Sequence, residues 1–114
     1  MVAWWRGEVA DTEVGLMVDD VDIEGVRGRW LAQGYGCDMW VDPPGQIWRD
    51  FVHQVDELVL VVEGELEMTV SGALRRMGPG DEVHIPAGAP HTVHNVGGCT
   101  ARWLYGYRTR GASD

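Results

Sequence analysis

The sequence predicts an all-β domain, a closed barrel or double sheet built from short antiparallel strands. Three observations lead there. From Trp30 onward, short runs of valine, isoleucine, leucine and aromatics follow one another. Glycine and proline clusters separate these runs, as turns require. No stretch sustains a helical period of apolar residues, and no internal repeat is present.

The elements follow in order. Residues 1–29 read as an acidic arm or edge segment, because Asp19, Asp20, Asp22 and Glu24 interleave with Val18, Val21 and Ile23. Alternation there allows a short edge strand, while the charge density points to light packing. The barrel domain spans 30–110 and a tail covers 111–114. Strands are expected at Gly36–Val41, Gln46–Val52, Glu57–Val62, Glu65–Val70, Leu74–Met77, Glu82–Ile85, His91–Asn95 and Ala101–Tyr107. Leu58 to Val62 is a continuous apolar run, the pattern of a strand covered on both faces. The next strand alternates from Glu65 to Val70, so one face meets solvent. Gly64 between them supplies the positive φ that so short a reversal demands.

Composition excludes several function classes. The 114 residues make one domain, and 45% apolar content supports a core without staples. The formal net charge is −9 and all nine cations are arginine, so no basic stripe exists for nucleic acid or an anionic membrane. No apolar run approaches the roughly 20 residues that cross a bilayer. Glu8, Asp11 and Glu13 interrupt the start before a signal-peptide core develops, which points to the cytoplasm. Cys37 and Cys99 are too widely spaced for a zinc knuckle or redox pair and read as reduced packing residues.

The histidines carry the chemistry. There are four: His53, His84, His91 and His94. His53 and Glu57 lie four apart at the start of the apolar run, where alternation aims both side chains to one face. His91 opens a later strand, just after the turn from Pro86 to Pro90. Two imidazoles and a carboxylate suit a divalent first-row ion and leave coordination positions open. His94 lies three beyond His91 and points to the opposite face. His84 alternates with Val83 and Ile85 and is assigned to packing or solvent.

Two motifs give these residues a family. Gly80, Pro86, Gly88, His91 and Asn95 stand at the spacing Gly, five residues, Pro, one, Gly, two, His, three, Asn. Glu57 and Gly64 are separated by six residues, and His53 precedes Glu57 by three others. This pair of motifs resembles the cupin family over about Gly36 to Tyr107. A chance match to the second motif has odds of roughly one in ten thousand or less. The resemblance implies a cupin-type double-stranded β-helix, a jelly-roll barrel, with one divalent metal ion (iron, manganese, zinc or nickel) on His53, Glu57 and His91.

One position departs. Where the family carries a first histidine, this chain has Phe51. Three arrangements remain open: a three-ligand site completed by water, a replacement fourth ligand from Gln46, Asp50 or Asp56, or a site that has lost its metal. Trp48 and Phe51 are expected to wall an apolar pocket above the ion, with Asn95 assigned to the same pocket. Trp40, Met39, Trp103 and Tyr105 are further candidates whose faces the pattern does not fix. Cupins include oxygenases, isomerases, epimerases, decarboxylases, storage proteins and sensing modules. The leading expectation is a metal-dependent, oxygenase-like enzyme acting on a small organic molecule; the alternative is a non-catalytic metal- or ligand-binding module. A homodimer is expected, since several aromatics exceed what one small core needs.

Overall fold

A computed structural model describes residues 17–18 and 21–109. The expected tail, Trp4 and Trp5, and most of the acidic segment lie outside the described residues. Two antiparallel four-stranded sheets form the barrel. Their strands are β3 (Asp38–Asp42), β4 (Ile47–Phe51), β5 (Glu57–Glu63), β6 (Leu66–Val70), β7 (Ala73–Met77), β8 (Glu82–Ile85), β9 (His91–Asn95) and β10 (Ala101–Tyr107). One sheet has the order β3-β10-β5-β8 and the other β4-β9-β6-β7. Every expected strand is present, with ends shifted by two residues at most.

The segment before residue 30 corrects the expectation of a lightly packed arm. Short strands β1 (Met17–Val18) and β2 (Val21–Asp22) pair, and a helix α1 (Ile23–Ala32) follows and runs through the expected boundary at 29 and 30. Asp22 caps it by accepting from the Gly25 N–H at 3.0 Å, and Gly34 closes it at φ +89°. Ile23, Val26 and Trp30 are buried on one side. The signal was weak because Gly25 and Gly28 lower helix propensity and the apolar Leu31 falls off the buried side and is exposed.

α1 explains the continuous apolar run in β5. Leu58, Leu60 and Val62 face the helix with Trp30, Tyr35 and Leu104, while Val59 and Val61 face the barrel interior with Leu66, Met68 and Trp103. Both faces of β5 are therefore covered, as the sequence pattern requires. The close seat of Trp30 depends on Gly106, where a Cβ would strike the Gly36 carbonyl and crowd the indole. Gly64 takes φ +91° in the β5–β6 turn, as expected.

One irregularity positions the site. β4 pairs with β9 as Trp48↔Val93 and then Phe51↔His91, with a register shift between. Asp50 is the bulged residue, at φ +55°, and its N–H donates to the Thr92 hydroxyl at 3.0 Å. Without the bulge, Trp48 and Phe51 would face opposite sides. With it, both reach the barrel interior.

Candidate metal centre

The fold brings three donors together. Glu57 is the first residue of β5 and His91 the first of β9; His53 lies in the loop after β4. Their ligand atoms all lie within 4.8 Å of one another. Glu57 Oε1 stands 3.5 Å from His53 Nε2 and 3.4 Å from His91 Nε2. Glu57 and His91 are both buried, at 4% exposure each, and His53 is half-buried.

The protonation pattern follows from the partners. His91 Nδ1 is 3.1 Å from the Ala89 carbonyl. A carbonyl only accepts, so in neutral His91 the proton sits on Nδ1 and Nε2 turns a bare lone pair toward Glu57. Glu57 Oε1 has no hydrogen-bond partner although it is buried. Two acceptors face each other across 3.4 Å with nothing donated between them. A proton or a cation resolves that conflict, and the donor set fits a divalent ion. Burial pushes the Glu57 carboxyl up to about 7. Burial, and then the neighbouring His91, lower the His53 imidazole.

A cavity of about 290 Å³ opens beside these donors. Trp48 and Phe51 stand in its wall. So do Trp40, Trp103 and Tyr105 among the undecided candidates, whereas Met39 packs on the helix side. Phe51 stacks on the His53 ring at 6.0 Å between centroids and 15° between planes. Asn95 does not line the cavity, which corrects its assignment to the pocket. It is buried at the far end of β9 from His91, donating to the carbonyls of Pro43 and Cys99 at 2.9 Å and accepting from Gly97 at 3.2 Å. Those bonds tie two loops and leave its amide nothing to offer a ligand.

The replacement ligands are elsewhere. The Asp56 carboxylate accepts from the Ala87 N–H at 2.8 Å and lies 3.2 Å from His84, and these contacts lower its carboxyl. Asp50 serves the bulge, and the Gln46 amide donates to the Ile47 carbonyl. His94 lies on the outward side of β9, as alternation predicts, and His84 is exposed.

Two residues were missed. Tyr107 lines the cavity with its hydroxyl 3.5 Å from His53 Nε2; the period-two series Trp103, Tyr105, Tyr107 on β10 carried the signal. Asp42, at 1% exposure, accepts indole N–H groups from Trp40 at 2.7 Å, Trp48 at 3.1 Å and Trp103 at 3.1 Å. Only the first of these partners is near it in sequence.

The barrel and this donor set define a small β-barrel with a His-Glu-His group that could hold a metal ion, and the comparisons with known proteins supply its family. The family model described as the cupin domain matches residues 38–107, and the chain belongs to that family. No curated protein sequence matches the chain. Among solved structures it is similar to TT1209 from Thermus thermophilus, at 28% identity and TM-score 0.60, over 67% of this chain and 74% of that one. An oxalate oxidase in complex with the substrate analogue glycolate matches at 23% identity and TM-score 0.61, over 68% of this chain. The match spans 43% of the oxalate oxidase. The cupin domain of an XRE family transcriptional regulator from Enterobacter cloacae matches at 23% identity and TM-score 0.61, over 71% of this chain and 88% of that one.

Proposed function

We propose that this cupin is a metal-dependent, oxygenase-like enzyme that holds one divalent ion on His53, Glu57 and His91 and acts on a small organic molecule in the adjoining cavity. The observation that carries the reading is the buried Glu57 Oε1, unpartnered and faced by the bare Nε2 of His91. A divalent ion there would supply Lewis acidity to a substrate oxygen and, with few protein ligands, exchangeable positions for a small co-substrate.

The surrounding residues have separable tasks. The Ala89 carbonyl fixes the His91 tautomer and ring direction. Phe51 stands where a further histidine is usual in the family, so it narrows the protein ligand set and excludes water from one side. Tyr107 keeps its proton on Oη, because burial and then the Glu57 charge raise its phenol, and it offers that proton beside His53. The oxalate oxidase neighbour is consistent with a small, oxygen-bearing substrate.

Screening iron- and manganese-loaded protein against small organic compounds tests this reading. Turnover that disappears in His91→Ala supports it. A ligand bound tightly and returned unchanged under every metal and oxygen condition establishes the second reading, a sensing module, which the match to the regulator's domain favours. Phe51→His should tighten metal binding and reduce turnover in the enzyme. The proposal includes a cytoplasmic homodimer, supported by exposed Val41 on the sheet-edge strand β3 and by exposed Val52 and Leu74. Sedimentation at high concentration checks the dimer. No helix among the described residues is long and apolar enough to cross a membrane.

A further inference from the structure

The cavity is more specific than an apolar slot. Four of its aromatic walls meet at steep angles: 75° between Trp40 and Trp48, 80° between Trp40 and Tyr105, and 68° between Tyr105 and Tyr107, while Phe51 lies flatter against its neighbours, at 32° to Trp48 and 15° to His53. A flat ring is best held between parallel faces. Walls at these angles close round a compact, nearly spherical group instead. A volume of about 290 Å³ lies at the small end of ligand sites, which run roughly from 300 to 1,000 Å³.

Charge selects the sign of that group. Asp42 is buried behind three of the walls, and its carboxylate accepts their indole N–H groups. An indole that donates to a carboxylate gains electron density on its ring, and a ring face attracts a cation within about 6 Å of its centroid. No arginine lines the cavity, so the Asp42 charge behind these walls is unmatched by any basic side chain in the lining other than the two histidines.

We propose that the cavity is a cage for a small quaternary ammonium group, so that the molecule received by the site carries a compact organic cation. The inference deepens the reading above and rests on it only for where the reacting end lies. With an ion on His53, Glu57 and His91, the other end of such a molecule would be an oxygen donor, making the preferred ligand a short zwitterion or amino alcohol.

Choline and 3,3-dimethylbutan-1-ol test this, because they share one shape and differ by a nitrogen cation against a carbon. Binding is followed by tryptophan fluorescence and calorimetry in chelator-treated protein, and separately after zinc loading. Choline should bind at least tenfold more tightly than the alcohol in chelator-treated protein. Equal affinities, or tighter binding of the alcohol, overturn the cage. Trp40→Leu alters a partly exposed wall outside the two core clusters and removes one donor to Asp42, while Trp48 and Trp103 still supply theirs. It should reduce choline affinity at least fivefold and leave the alcohol within about twofold; a parallel loss of both overturns the cage as well. Zinc content read in the same samples reports the metal reading independently. A choline preference in protein that takes up no zinc would sink the metal site and keep the cage.

Discussion

Asp42 and Glu57 are the two buried carboxylates among the described residues, and they sit at opposite ends of β10, opposite Ala101 and Tyr107 respectively. Their surroundings differ completely. Asp42 receives three indole N–H groups, which replace the hydrogen bonds that water would give it. Glu57 Oε1 receives no hydrogen bond and faces imidazole nitrogens, and burial pushes the carboxyl up to about 7. Burial alone does not mark a metal ligand. A carboxylate supplied with donors is a structural strut; one faced by an acceptor needs a proton or a cation.

That contrast can be broken by exchange of affinities. Glu57→Ala should weaken binding of a divalent ion roughly a thousandfold, equivalent to about 4 kcal/mol. Asp42→Asn should change it by less than about threefold. Competition against a chromogenic chelator measures both, and equal losses would put the two carboxylates in one class. Stability should show the reverse order. Asp42→Ala strands the buried Trp103 indole N–H and leaves two part-buried ones without their acceptor, and should cost about 3 kcal/mol in urea unfolding. Glu57→Gln in metal-free protein should cost nothing or stabilise, since it removes an unpaired buried acid.

The pH dependence sharpens the contrast further. The folded Glu57 carboxyl, at about 7, lies above its ordinary 4.5, so the folded state binds the extra proton between those values. Metal-free protein should therefore lose stability as pH rises from about 4.5 to 7, by at most about 3 kcal/mol. The lowered His53 imidazole opposes this just below its ordinary 6.5, because there the unfolded chain binds more protons. Comparison with Glu57→Gln, in which the falling limb should vanish, isolates the carboxyl. The smallest effect is expected at His94. His94→Ala should leave metal affinity within about twofold, since the ring lies on the outward side of β9.

The legible and illegible parts of this molecule divide on the same physical line. His53, Glu57 and His91 are fixed by short spacings within motifs, so local sequence exposes them. The β5 run announced two covered faces, but not that a glycine-bearing helix supplies the second cover. Asp42 and its indoles come from β3, β4 and β10, and sequence separation hides that convergence. Trp48 and Phe51 were expected on one wall, yet they share it because Asp50 takes a left-handed backbone, which no turn residue advertised. Asn95 matched a motif position, and the motif does not say whether an amide serves a ligand or two loops.

The position of a bound metal decides between the two carboxylates. Anomalous scattering from crystals of untagged protein, loaded with iron or zinc, locates the ion directly. The expected result is one ion per chain, about 2.0–2.2 Å from His53 Nε2, His91 Nε2 and a Glu57 oxygen, with Asp42 still holding its indoles. An ion at His84 and Asp56 instead, or a loaded crystal with Glu57 still unpartnered, would contradict it.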